Sequence, residues 1–362
     1  MIIYISMFLV LALFYAIHSL NQPKHILNES NKPSKFVAFV VFGYIIFWAG
    51  MRNRFVDTAA YIRSFSMASP DDIANLDISF NSAWGFRLLE IAFKEIISSN
   101  YHAWLMFVAI VTGMCIAITF YKYSHNYFYS VFLFLATTNF TWLMNGIRQF
   151  LAVAIIFAAT PLIKENKWFK FILIVLLAST IHGTALLMLP VFFFVRSKPW
   201  TSRTMLLFAG VIFVLFFTSS FTNILEDVFA ETKYENIGDQ FAVDDGVNPI
   251  RVLVFSITTI LAFIARNRLP KDDILINIFI NMSLVTSGLY LIATTTSGIL
   301  LGRLPMYTQL YQYMLLPYII DNIFEKRTKS LIYLASIALF LLYFKVASKG
   351  FYYSSDLTGF IE

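Results

Sequence analysis

The chain has 362 residues, 59% hydrophobic, 18% aromatic and only 13% charged, with a net charge of +6 and a mean hydropathy of +0.71. This excludes an ordinary soluble domain, and the positive charge is no nucleic-acid signature, because no basic cluster interleaves with aromatics on a soluble face. The single cysteine, Cys115, lies inside an apolar run and supports neither a disulfide framework nor a cysteine metal site.

A membrane-crossing helix needs about 20 apolar residues. Apolar runs fall at 2–20, 36–51, 101–121, 127–144, 147–163, 168–181, 184–195, 204–220, 250–265, 274–293, 304–320 and 330–347. They predict an all-α polytopic membrane protein with about 12 transmembrane helices, forming one integral domain over 1–362. The first run lacks a basic leader and a small-residue cleavage site, so it reads as a retained helix. Cytoplasmic stretches then fall at 21–35, 122–126, 164–170, 196–203, 266–273 and 321–329. Together they hold sixteen basic residues against six acids. Each is net positive, as cytoplasmic loops are. The loop 221–249, with Glu226, Asp227, Glu231, Glu235, Asp239, Asp244 and Asp245 against Lys233, suits the outside.

Two regions depart from simple crossings. The first large external loop, 52–100, contains Trp84–Ile97 with apolar residues at helical spacing, which predicts an amphipathic helix at the outer interface. The stretch 168–195 is interrupted by Thr180-Ile181-His182-Gly183, which predicts two short helices meeting at a break around His182, or a simple kinked hairpin.

Arginine biases a loop toward the cytoplasm, so arginine kept outside asks for a reason. Arg52 and Arg54 follow the second run, with Asp57 and Tyr61 close behind. Paired guanidiniums can grip a diphosphate bidentately, while Asp57 orients one of them or takes a proton from a sugar hydroxyl. Alternatively, both arginines reach for lipid phosphates and Asp57 pairs with one of them. Arg148 and Gln149, in the turn Asn145-Gly-Ile-Arg-Gln149, begin a helix whose N-terminus already attracts anions. An arginine there repels the dipole, and a bound phosphate would relieve that cost. His182 at the break either donates to a phosphate, acts in acid–base chemistry, or satisfies a helix interface. Arg303, Tyr307 and Tyr311 are spaced four apart on the eleventh run, a face suited to a phosphate beside a sugar or to an aromatic belt. Asp71-Asp72 and Asp244-Asp245 lack a carboxylate–x–carboxylate metal spacing and read as solvated acids. No phosphate loop, zinc helix or nucleophile elbow is present, so no metal or cofactor is expected.

These motifs resemble one family over roughly 40–320. RNRFVDTAAY from Arg52, NGIRQFLA at 145–152, LASTIHG at 177–183 with Leu189-Pro190 following, and Arg303 and Tyr307 with Leu316-Pro317 following look like the EpsG/Wzy-type polysaccharide polymerases. That family often carries a glutamate just before the Gly-Phe of the interfacial helix. Here Trp84 precedes Gly85, and Glu90 on the same helix is the candidate replacement.

The resemblance implies a glycosyltransferase of the bacterial cytoplasmic membrane, working outside on oligosaccharide repeat units carried by undecaprenyl diphosphate. The product is O-antigen, capsule or exopolysaccharide. Its partners would be membrane lipids, a chain-length regulator and a flippase. The candidate bases are Asp57, favoured for its neighbouring arginines, then Glu90 and His182. A flippase would want polar groups through the midplane and paired halves. An O-antigen ligase or other membrane glycosyltransferase would share the external arginines, and an O-acyltransferase would want a cytoplasmic route to its donor.

Overall fold

The structure, a computed structural model, describes residues 1–21, 32–79, 82–217, 246–295 and 301–361. Most of the loop at 21–35, and the acidic stretch up to residue 245, lie outside the described residues.

Nearly every apolar run is helical where predicted. In chain order these are α1 (Ile2–Leu20), α2 (Lys35–Gly50), α3 (Thr58–Ser66), α4 (Trp84–Ile96), α5 (Tyr101–Tyr123), α6 (Tyr127–Ala136), α7 (Ile147–Ala158), α8 (Thr160–Lys164), α9 (Trp168–Ile181), α10 (Met188–Val195), α11 (Ser202–Phe216), α12 (Pro249–Ile264), α13 (Ile274–Ile292), α14 (Met306–Gln309), α15 (Gln312–Ile323) and α16 (Lys326–Ala347). Among the described residues, α1, α5, α13 and most of α16 are long and apolar enough to cross a membrane, and seven shorter apolar helices accompany them.

Polar side chains set the starts. Ser34 accepts from Val37 N–H at the head of α2, Asn100 from His102 N–H at α5, Asn126 from Tyr129 N–H at α6, and Asp273 from Leu275 and Ile276 N–H at α13. Each satisfies a donor that the helix cannot.

Three runs are less continuous than predicted. The run 127–144 ends as a helix at Ala136, and after Thr138 in the left-handed region a 3-10 turn covers Asn139–Leu143. The run 147–163 breaks ahead of Pro161, which cannot donate to the preceding turn. The eleventh run is divided into a 3-10 turn at Leu301–Arg303, then α14, then α15, which itself contains Pro317.

Contacts divide the described chain into two compact units, each discontinuous in sequence: Met1–Thr160 with Leu176–Ala185 and Ile320–Glu362, and Pro161–Val175 with Leu186–Ile319. The first unit is built around α2, α5 and α7, whose inner faces carry Phe42, Phe120 and Phe157, with Phe134 of α6 stacked on Phe42. A short hairpin closes it: Ser354–Ser355 (β1) pairs antiparallel with Phe360–Ile361 (β2). This hairpin is tied to the chain leaving α2. Ser354 exchanges backbone bonds with Arg54, its hydroxyl donates to Asn53 Oδ1 at 2.7 Å, and the Tyr353 hydroxyl donates to the Trp48 carbonyl at 2.8 Å.

The second unit surrounds α13, buried over most of its length. Its polar residues bond to one another. Thr259 Oγ1 meets Ser283 Oγ at 2.6 Å and Ser287 Oγ at 2.7 Å; Gln312 donates to the Phe255 carbonyl at 2.8 Å; Tyr290 donates to Gln309 at 2.7 Å. These hydroxyls and amides lie among apolar neighbours and link helices, a common packing device inside membranes.

Loops assigned to one side by charge also touch one another. In the first unit Lys32 donates to the Lys122 carbonyl, and His125 lies 3.5 Å from Asp321, which also takes Lys329 at 3.3 Å. In the second, Arg196 donates to the Ile163 and Lys164 carbonyls and Lys198 pairs with Asp272 at 2.8 Å. The Lys32–Lys122, His125–Asp321, Arg196–Lys164 and Lys198–Asp272 contacts each join two stretches that the lysine and arginine excess places on the same side.

Candidate active site

The amphipathic helix α4 sets the site. Its buried positions Phe86, Glu90 and Phe93 follow helical spacing. The expectation that its apolar face lies in the membrane interface needs correcting. Phe86 and Phe93 pack on Trp104 of α5, with ring centroids 5.5 and 5.3 Å apart, and Phe65 of α3 stacks on the same indole at 5.4 Å. The face is covered by the protein's own aromatics, which leaves Ile96 and Ile97 at its end exposed.

Glu90 therefore points inward, and its side chain is 1% exposed. One carboxylate oxygen accepts from Arg87 at 3.0 Å and from Ser64 at 3.0 Å. The other, Oε1, is buried without a hydrogen-bond partner. Burial pushes the Glu90 carboxyl up, against the pull of Arg87, Ser64 and the charge of Arg148. Arg87 is held in turn by Asp72 at 2.8 Å and by the Ser64 and Met67 carbonyls. Beside Ser64, a shallow groove of about 490 Å³ runs along α3, lined by Ala59, Ala60, Arg63 and Met67.

Arg148 stands at the second position of α7, exposed, with no hydrogen bond or ion pair among the described residues beyond its field on Glu90. The turn before it depends on Gly146, whose φ of +62° is left-handed and whose missing Cβ leaves room for the Trp142 ring. Beside it, Asn145 Oδ1 is buried and unpartnered. Gln149 is buried and donates to Thr184 Oγ1 at 3.3 Å, and Thr184 Oγ1 meets His182 Nδ1 at 2.8 Å. A hydroxyl that accepts from Gln149 can give its own hydrogen to Nδ1. In that arrangement the imidazole proton sits on Nε2.

The break at His182 is where the sequence put it, between the end of α9 and a 3-10 turn over Gly183–Leu187. Gly85 lets α4 dock there, since a Cβ would overlap the Thr180 side chain. Thus α4, the start of α7 and the break after α9 come together in the first unit, carrying Glu90, Arg148 and His182.

The EpsG family model matches residues 35–357. The chain belongs to the EpsG family. These are Wzy-type polysaccharide polymerases, so this membrane-embedded EpsG-family chain has a polymerase role of the glycosyltransferase kind. No curated protein and no solved structure matches it.

In this EpsG-family protein the other candidate residues take different places. Arg52 is 1% exposed; it donates to Thr58 Oγ1 at 3.1 Å and to the Ala49 carbonyl at the end of α2. Burial lowers its pKa to about 10, with Tyr353 and Tyr61 opposing the shift, so it stays charged at neutral pH. Tyr61 is buried near it. Arg54 and Asp57 do not pair with each other. The Arg54 side chain is exposed and that of Asp57 half-buried, and neither has a side-chain partner among the described residues. Tyr307 and Tyr311 are fully buried in the second unit, with Tyr311 against Phe279 at 5.9 Å. A step lies between them: α14, which carries Tyr307, ends at Gln309, and α15 begins at Gln312, just after Tyr311. Arg303, half-buried, ends the 3-10 turn before α14.

Arg87, Ser64 and Thr184 were not singled out from sequence, and Asp72, read there as a solvated acid, pairs with Arg87. Arg87 was within reach, because a basic residue three before Glu90 on one helix is a neighbour by geometry. The others lie on separate elements, and no local spacing brings them to the site.

Proposed function

We propose that this protein polymerises lipid-linked oligosaccharide repeat units at the outer face of the bacterial cytoplasmic membrane. The growing glycan passes from undecaprenyl diphosphate to the non-reducing end of a new unit. The observation that carries this reading is the cluster of Glu90, Arg87 and Arg148: a buried carboxylate with one free oxygen beside an exposed guanidinium at a helix start. The acceptor hydroxyl gives its proton to Glu90, its oxygen bonds to the anomeric carbon, and the bond from that carbon to the diphosphate oxygen breaks. The charge left on the diphosphate is met by Arg148 and the free N–H groups of α7. In this reading the base is Glu90 rather than Asp57, which the sequence favoured. Among the described residues Asp57 has no arginine partner, whereas Glu90 is buried beside Arg87 and burial raises its proton affinity, the direction that suits a base. His182 serves as a donor to phosphate through Nε2 in the tautomer where Thr184 donates to Nδ1.

The buried hydroxyl network around Thr259 and Ser283 bears on the alternative of a lipid-linked oligosaccharide flippase. Those groups are bonded to one another and to backbone and carry no charge, which suits helix-linking contacts and supports the polymerase reading. A deletion strain separates the two readings. Single repeat units at the surface without longer chains support a polymerase; lipid-linked units retained inside the cell support a flippase and refute the proposal.

A further inference from the structure

An apolar groove of about 710 Å³ runs between α10, α11 and α13 in the second unit. Phe193, Leu206, Val285 and Ile292 are among its walls, and Gly210 opens it further, since nothing lies within 4 Å of where its Cβ would be. Of the lining residues only Arg203 is polar. Its side chain is exposed and makes no hydrogen bond or ion pair among the described residues. It occupies the first turn of α11, where the helix dipole disfavours a cation unless an anion is near.

The surroundings of Arg203 point to headgroup depth. Loops 164–170, 196–203 and 266–273 hold nine basic residues against three acids, and the Arg196 and Lys198 contacts gather them at one end of the unit. Trp200 packs on Phe263 at 5.2 Å, and Arg266 lies over the same ring at 4.2 Å. Such aromatic and basic residues mark a membrane–water boundary.

A ligand suited to this place needs a long apolar chain and an anionic head. The chain alone cannot decide occupancy, because lipid tails are already in an apolar medium. The head therefore selects, and anionic lipids of the cytoplasmic leaflet are drawn to basic pockets between helices. We propose that the groove between α10, α11 and α13 holds an acyl chain of an anionic phospholipid whose phosphate rests on Arg203. This site is independent of the proposed transfer reaction.

The test uses the purified full-length protein in detergent, titrated with dioleoylphosphatidylglycerol, dioleoylphosphatidylcholine or a polyprenyl phosphate, with bound lipid counted by native mass spectrometry. Phosphatidylglycerol binds one to one and about fivefold more tightly than phosphatidylcholine, the preference expected from one cation at an anionic surface. Arg203→Gln removes that preference, and Gly210→Leu, which fills open space, removes the bound lipid. Equal binding of the two phospholipids by the unaltered chain overturns the proposal without recourse to any variant. So does phosphatidylglycerol binding that survives both substitutions, or a polyprenyl phosphate that binds more tightly and is lost in Gly210→Leu.

Discussion

Replacing Glu90 by Gln separates its chemistry from its packing. The substitution keeps the side chain's size and one acceptor oxygen for Ser64, and it removes the charge beside Arg87. Arg87 retains Asp72 at 2.8 Å and the Ser64 and Met67 carbonyls. The lost ion pair is worth about 1 kcal/mol or less for a partly exposed arginine. Relief of the desolvation of a carboxylate that is 1% exposed acts in the opposite sense. Stability should therefore change by no more than about 1 kcal/mol. Chain extension should fall by about 10²–10⁴-fold, the usual effect of losing a general base. The assay is glycan length against time with purified protein and lipid-diphosphate-linked repeat units, alongside thermal unfolding in the same detergent.

The pH dependence gives a second reading. As a base, Glu90 must be ionised, so activity should fall as pH drops through its raised pKa. Stability has the opposite sign: the folded state binds this proton more tightly than the unfolded chain, so the Glu90 contribution to stability declines as pH rises through that window. Both dependences should disappear in Glu90→Gln. Unchanged polymerisation by Glu90→Gln would refute the assignment, and loss of activity in Asp57→Asn under the same conditions would return the role to Asp57.

Arg148→Lys keeps a charge at the start of α7 but loses the two-pronged guanidinium; long chains should disappear while the protein accumulates normally in membranes. Arg303→Lys, assayed separately, should shorten chains if that guanidinium also holds phosphate, and leave them normal if it is a packing residue. Arg52→Ala should instead destabilise the protein by about 1.5–3 kcal/mol, the range for hydrogen bonds made by a charged group, visible as a lower unfolding temperature. With Cys115 replaced by Ala, cysteines introduced at Ser99 and Asn267 should react with an impermeant label from opposite sides of the membrane; labelling from one side would overturn the charge-based threading.

The helices and the break at His182 were legible because apolar length, capping residues and a polar interruption are local signals. So was the Asn145–Gln149 turn, where Gly146 permits the left-handed backbone that lifts Arg148 onto a helix start. The environment of Glu90 was not legible. Periodicity identifies the apolar face of α4 but cannot say whether lipid or Trp104 covers it, and that distinction turns Glu90 from a second-choice base at the interface into a buried acid. Arg52 shows the reverse case. Its position suggested an outward grip, yet the carbonyl of Ala49 and the hydroxyl of Thr58 hold it inside. The step between Tyr307 and Tyr311 was not legible either, because the apolar run is continuous where α14 gives way to α15.

The C-terminal hairpin also limits how the chain can be threaded. Arg54 and Ser354 share backbone hydrogen bonds, so both stand on one side of the membrane. The chain between them must then cross an even number of times. Among the described residues, nine apolar helices lie between Tyr101 and Ala347. If each crosses once, nine is the wrong parity, and one more passage is required. The fractured segment Leu301–Ile323, short in each of its pieces and too irregular to qualify by length, is the described stretch that can supply it. The two backbone bonds between Arg54 and Ser354 thus favour counting 304–320, one of the twelve apolar runs, as a crossing although its helices are short.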